Sequence, residues 1–247
     1  MTTILITGAN RGIGHSLIKT YLTRPQTTII AAVRNPSSAD SQSLSNLPVA
    51  TNSRLIIVKI DSSSNTDATN AITTLSKQGI TSLDIVIANA GIIDPSAFVP
   101  VADINIAQLQ EHLDINTVGP VRLFQATLPL LQRSPRARFV VMSSLMGTIA
   151  GIADVAIPIA AYGASKAAVN FFTRKIHFEN EGVATLAVHP GSVKTDSGND
   201  AARAVGYPGA FVEIEDSVKA VVAKIDALSR ENGSGEFWGF DGSVIAW

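Results

Sequence analysis

The chain has 247 residues, 46 % of them hydrophobic and 16 % charged, with 19 basic residues against 20 acidic ones and a net charge of −1. Charge that sparse excludes a mainly disordered chain, and the lack of a basic surplus argues against nucleic acid as the partner. The absence of cysteine excludes disulfides, thiolate nucleophiles, cysteine-held zinc and iron–sulfur clusters.

Apolar runs of strand length fall at Ile4–Thr7, Thr28–Val33, Leu55–Ile60, Leu83–Ala88, Arg138–Met142 and Val183–Val188. Most are continuous rather than alternating, as strands buried on both faces of a parallel sheet are. Helical patterns lie between or after them over 12–23, 65–78, 105–133, 161–180 and 214–230. This alternation predicts an α/β domain built from βαβ units over 1–247.

The first run leads into Thr7-Gly8-Ala9-Asn10-Arg11-Gly12-Ile13-Gly14. Glycines between a strand and a helix let the backbone approach a ligand closely. The helix N-terminus behind them offers N–H groups to a pyrophosphate. The spacing G-x-x-x-G-x-G differs from the stricter G-x-G-x-x-G, and a tight turn without a ligand is the rival reading. The second run ends at Arg34-Asn35 with no acid. An acid there holds a ribose 2′-hydroxyl, whereas an arginine accommodates a 2′-phosphate. Arg34 and Arg11 therefore favour NADP over NAD, against the rival of a solvated strand-end charge. Segment 34–53 is rich in Ser, Asn and Pro and reads as a loop with at most a short helix.

The third run leads to Asp61, either an acceptor for an adenine amino group or a helix cap, with Ser62 to Ser64 as rivals. The fourth ends in Asn89-Ala90-Gly91, small residues that leave room for a flat ligand in the crevice of an open sheet. Pro120 and Pro129 kink or divide the 105–133 pattern. The strand Arg138–Met142 delivers Ser143-Ser144, then Leu145-Met146-Gly147. A hydroxyl there can hydrogen-bond a substrate carbonyl, or simply cap the turn.

Tyr162 and Lys166 are four apart on one helix face. A nearby ammonium lowers a tyrosine from its usual pKa of about 10 and makes it a usable acid/base; elsewhere such a pair is an ordinary surface pair. Segment 190–212 is rich in glycine and proline and reads as an irregular substrate loop, a lid over the cleft. His189, Trp238 and Trp247 read as packing residues. Phe98, Tyr207 and Phe211 lie at the expected cleft mouth. The four histidines have no ligand spacing, so no metal is expected. No apolar stretch nears the ~18 residues of a membrane span, and the N-terminus lacks a signal-peptide pattern. The expected location is cytoplasmic.

These motifs, in this order, resemble the short-chain dehydrogenase/reductase family over essentially the whole chain. The resemblance rests on the turn Thr7–Gly14, on Asn89-Ala90-Gly91, Asn116, Ser144 and Tyr162 with Lys166, and on Pro190-Gly191-Ser192-Val193-Lys194-Thr195. The ending Gly239-Phe240-Asp241-Gly242-Ser243-Val244-Ile245-Ala246-Trp247 further resembles the carbonyl-reductase branch, which includes sniffer proteins and fungal norsolorinic-acid-ketoreductase-like enzymes. The resemblance implies a Rossmann-type doubly wound parallel sheet of about seven strands in three α/β/α layers. It implies NADPH-dependent reduction of a ketone or aldehyde. Tyr162 is then the proton donor, Lys166 tunes it and bonds the nicotinamide ribose, Ser144 polarises the carbonyl, and Asn116 holds a relay water.

The cofactor NADP(H) would then contact Gly8, Asn10, Arg11, Gly12, Ile13 and Gly14 in the turn, and Arg34, Asp61, Asn89, Ala90 and Gly91 at later strand ends. Tyr162, Lys166, Pro190, Gly191, Val193 and Thr195 complete the set, with Val193 and Thr195 near the carboxamide. Two departures stand out. Ala88 occupies a position where the family has Asn, and the Ser144-to-Tyr162 interval is long, its extra residues lying in Gly151–Ala161. That segment is expected to border the substrate cleft, or to affect oligomer contacts. The partner is a small-molecule carbonyl: a polyketide-like ketone, a small ketoester and a xenobiotic carbonyl all stay open. A homodimer or homotetramer through 105–133 and 161–180 is implied. The rival functions are NAD-dependent oxidation of a secondary alcohol and a non-catalytic dinucleotide sensor; a sensor has no need of the Ser144, Tyr162 and Lys166 set.

Overall fold

All six apolar runs form strands: β1 (Thr2–Thr7), β2 (Thr27–Val33), β3 (Arg54–Lys59), β4 (Ile85–Ala88), β5 (Ala137–Met142) and β6 (Val183–His189). They come from a computed structural model that describes residues 1–155 and 157–247; Ala156, within the Gly151–Ala161 segment, lies outside the described residues. A seventh strand, β7 (Glu236–Gly239), completes the sheet. The order is β3-β2-β1-β4-β5-β6-β7, and every pairing is parallel. This is the expected doubly wound sheet.

Alternate residues of each strand serve opposite faces. Ile4, Ile6, Ile29, Ile87, Val140 and Leu186 join a core with Leu17, Ile18, Tyr21 and Leu22 of α1 (Gly12–Leu22) and Val218, Val221, Val222 and Ile225 of α8 (Ile214–Ala227). Leu5, Ile30, Val86, Phe139 and Val141 join a second core with α3 (Asp67–Lys77), α5 (Gly119–Leu131) and α6 (Ala160–Glu179). Both faces are apolar because both are covered, which explains the continuous runs. The short helix α2 (Ala39–Ser43), capped by Ser38, sits inside the 34–53 loop as expected.

The 105–133 pattern is divided, one of the two expected outcomes, at a turn ahead of Pro120. It comprises α4 (Ile106–Leu113), a π-helical turn over Asp114–Val118, and α5. Pro120 stands in the first turn of α5, which continues in helical backbone from the π-helical turn, so its missing N–H leaves a carbonyl of that turn without a helical bond; Pro129 lies inside α5 without ending it. Segment 190–212 is not irregular throughout. It holds α7 (Asp196–Ala204), whose N-cap Thr195 accepts from the Gly198 N–H at 3.0 Å. Gly198, read as a breaker, is there because a Cβ would stand 2.1 Å from the Val193 carbonyl oxygen.

The tryptophans pack. Trp238 is buried and Trp247 stacks on Phe237 at 5.6 Å between ring centres. Beside them, the Thr148 hydroxyl donates to the Ala246 carbonyl at 2.8 Å. Among the described residues no helix is long and apolar enough to cross a membrane.

Candidate active site

The chain order reverses direction between β1 and β4, and ligands of open α/β sheets bind beyond the carboxyl ends at such a point. Here the glycine turn after β1 meets Asn89-Ala90-Gly91 after β4. The Thr7 hydroxyl oxygen accepts from the N–H groups of both Asn89 and Ala90 at 3.0 Å. The Asn89 side-chain amide donates back to the Thr7 carbonyl at 2.9 Å and to the Gly8 carbonyl at 3.3 Å. Gly8 has φ +63° and lies so close to Ala90 that a Cβ would stand 3.0 Å from its Cα; the left-handed backbone and the close approach both require glycine. Thr7 is the tie that sequence reading overlooked. Its signal was only a polar residue ending an apolar strand.

A cleft of about 460 Å³ opens along this seam. Of the expected cofactor residues, Gly8, Asn10, Arg11, Gly12, Ile13, Arg34, Asp61, Asn89, Ala90, Gly91 and Thr195 line it. Asn35, Ser38, Asp40, Ile92, Ile115 and Ser197 line it as well and were not anticipated. Gly14, Tyr162, Lys166, Pro190, Gly191 and Val193 do not line this cleft. Gly14 instead packs under the turn, Gly191 lies against Phe240 and Val212, and Val193 is buried. Arg11 and Arg34 are exposed, and among the described residues neither forms an ion pair.

At the end of β5, Ser144 is buried and its hydroxyl oxygen accepts from the Met146 N–H at 3.2 Å. Gly147 fits directly on α6: a Cβ there would meet the Lys166 backbone at 2.7 Å. That contact explains the Ser-x-x-Gly spacing and sets the serine beside the tyrosine–lysine face. Burial pushes the Tyr162 phenol up to about 12, and a hydrogen bond with Ser144 opposes the rise. The expected lowering by Lys166 does not appear. The Lys166 Nζ lies 5.6 Å from the centre of the Tyr162 ring and donates to the Met142 carbonyl at 2.8 Å. Desolvation therefore decides the state of the phenol, which keeps its proton at neutral pH.

Burial also lowers Lys166 from 10.5 to about 8. Between those values the unfolded chain holds a proton that the folded protein has released, so stability rises with pH across that window. Below it the buried charge opposes folding fully. Without cofactor, Lys166→Met is expected to raise Tm at pH 7, and the gain should shrink by pH 10. A gain constant over that range in thermal denaturation would reject the depressed lysine.

Asn116, in the π-helical turn, is 1 % exposed. Its amide oxygen accepts from the Ile92 N–H at 2.8 Å, and its amide nitrogen donates to the Ile92 carbonyl at 2.9 Å and to the Ser165 hydroxyl at 3.0 Å. Both amide hydrogens are engaged, so only the oxygen keeps capacity for a further partner. Gly91 joins this group, since a Cβ there would stand 3.0 Å from the Asn116 oxygen and 3.6 Å from the Lys166 Nζ. His189 is packed edge-on to Phe240 at 6.4 Å, and burial pushes it down to about 4.

Residues 2–205 match the family model described as short chain dehydrogenase. The chain is 42 % identical over 250 residues to the norsolorinic acid ketoreductase of Aspergillus parasiticus, covering 100 % of this chain and 91 % of that protein. Its fold superposes on an NADPH-bound carbonyl reductase from chicken fatty liver with a TM-score of 0.86 and 27 % identity, covering 100 % of this chain and 99 % of that one. The carbonyl reductase Sniffer of D. melanogaster gives a TM-score of 0.85 and 29 % identity, with 100 % of both chains covered.

Proposed function

The chain belongs to the short chain dehydrogenase family, and from that premise we propose that it reduces a ketone or aldehyde to the alcohol with NADPH. The observation that carries this reading is the meeting of Ser144, Tyr162 and Lys166 where β5 runs onto α6. The crevice residues fit a dinucleotide: the Gly8 backbone approaches Ala90 too closely for any side chain, and the cleft beside it carries two arginines with no ion-pair partner among the described residues. When bound, the nicotinamide supplies the hydride that the carbonyl carbon accepts.

The protein's own groups manage the oxygen. Tyr162 donates its phenolic proton to it, and the Ser144 hydroxyl hydrogen-bonds it as negative charge develops. Lys166 stabilises the phenolate left behind and returns a proton to it. Asn116 holds a relay water through its remaining amide oxygen capacity. A phenol that keeps its proton at neutral pH suits reduction, since oxidation would need it ionised.

The relative named as a ketoreductase supports a ketone as substrate. Exposed apolar side chains on the two segments expected to border the cleft, Ile152 on one and Tyr207 and Phe211 on the other, support an apolar one. Following NADPH absorbance over a panel of ketones tests the reading. Turnover of an apolar ketone is expected, and failure with every carbonyl overturns it.

Arg34 and Arg11 are assigned to the 2′-phosphate. A charge-assisted hydrogen bond contributes about 1.5–3 kcal/mol, so Arg34→Ala should raise KM for NADPH by about tenfold or more and leave KM for NADH nearly unchanged. Equal effects on both cofactors would reject the assignment. A homodimer or homotetramer is the proposed assembly, supported by the exposed Phe171 and Phe178 on α6.

A further inference from the structure

Helix α4 and the turn after it grip segment 92–96, which runs into the turn Pro95–Ala97, through side chains four residues apart. Asn116 holds both the N–H and the carbonyl of Ile92. His112 Nε2 receives the Asp94 N–H at 3.4 Å. The Gln108 amide nitrogen donates to the Ser96 hydroxyl at 2.8 Å and to the Asp94 carboxylate at 3.3 Å. Every second residue of the segment is thus held from successive helical turns. Asp94 also accepts from the Ser96 N–H at 2.9 Å, capping the turn Pro95–Ala97, and α7 packs on that turn.

The middle rung is chemically defined. A backbone N–H can only donate, so His112 Nε2 carries no proton. The proton is then on Nδ1, which donates to the Gln108 carbonyl at 2.8 Å. This neutral ring is fully buried. It stands edge-on to the Tyr162 ring, 6.4 Å between centres and 84° between planes. The mechanism above makes no use of it.

We propose that His112 is a positioning residue for the reduction. Its neutral imidazole seats the Tyr162 ring on one side and holds the Asp94 amide on the other. The proton donor and the cleft wall that begins at Ile92 are thereby set by one side chain. This rests on Tyr162 being the proton donor.

The test compares His112→Leu with His112→Gln, whose side-chain oxygen can accept from the Asp94 N–H. Both are assayed with NADPH and an accepted ketone well below either melting temperature. His112→Leu is expected to lower kcat by about tenfold with KM for NADPH unchanged. His112→Gln should recover to within about threefold of the parent. Hydrogen exchange at the Asp94 amide should speed up in His112→Leu and return to the parent rate in His112→Gln. If both variants turn over like the parent, or both are equally impaired with unchanged exchange, the proposal is overturned. Tyr162→Phe in the same assay separates the two levels. If it is inactive while His112→Leu is unimpaired, only the role of His112 fails; if it keeps parental turnover, the proton donor is misassigned and this inference falls with it.

Discussion

Tyr162→Phe is expected to lower kcat for ketone reduction by roughly 10²–10⁴-fold, the usual worth of a positioned general acid. The change removes one oxygen and keeps the ring, so the edge-on contact with His112 and the packing on α6 persist. It also takes from the Ser144 hydroxyl its hydrogen bond with the phenol, so stability should fall by about 1 kcal/mol, with no gain from the phenol's opposed ionisation, which carries no cost at neutral pH. NADPH affinity, read from quenching of protein fluorescence, should stay within about twofold, because Tyr162 does not line the cleft proposed to hold the dinucleotide. The loss should therefore fall on kcat rather than on KM for NADPH, as for an interaction made with the reacting atoms. Turnover near that of the parent would leave the proposed chemistry without its proton.

Gly14→Ala should have the second large effect, and in the opposite sense to local propensity. Alanine is a better helix former than glycine by about 1 kcal/mol, and Gly14 sits within α1. Yet a Cβ there would stand 2.2 Å from the Gly8 carbonyl oxygen and 2.6 Å from the Asn89 amide nitrogen. Neither neighbour can yield alone, because they are hydrogen-bonded to each other and Asn89 is bonded to Thr7 as well. The helix start must move off the seam. Overpacking of this kind destabilises by about 1–3 kcal/mol, seen as a lower urea midpoint, and NADPH affinity should fall by about tenfold or more. Gly182→Ala is the control: its Cβ would meet nothing within 4 Å, and a change within about 0.5 kcal/mol is expected. If Gly14→Ala binds NADPH like the parent, the turn is looser than its contacts imply.

The strands were legible because burial on both faces removes polar residues from them. β7 was legible only as a count. It has four residues at the sheet edge, and Glu236 and Gly239 blur its apolar pair. α7 was hidden for a related reason: Gly198 looks like a breaker in one dimension, but the space it leaves is filled by the Val193 carbonyl. The candidate site was readable where rare residue types stand at fixed spacing, as with Tyr162 and Lys166, which the fold sets side by side. It was not readable where a common residue acts through its surroundings. Ser38 and Asp40 line the cleft from a stretch whose composition says only loop. His112 has no distinguishing spacing of its own. Its place against Tyr162 arises from the packing of α4 on α6, which no local pattern encodes. The state of Tyr162 was misjudged because sequence shows a neighbouring charge but not desolvation, and desolvation is the larger effect here.

The bonds that join Thr7 to Asn89 and Ala90 span 82 and 83 residues of chain. During synthesis the glycine turn, Arg11 and Arg34 all leave the ribosome long before their partner strand. A nascent chain ending before β4 thus contains every group proposed to hold the cofactor phosphates and yet lacks the wall formed by Asn89 and Ala90. Such distant closures form slowly, so the crevice should be among the later features to appear on refolding. A fragment cut before β4 should not bind NADPH, and adding the complementary piece should restore binding.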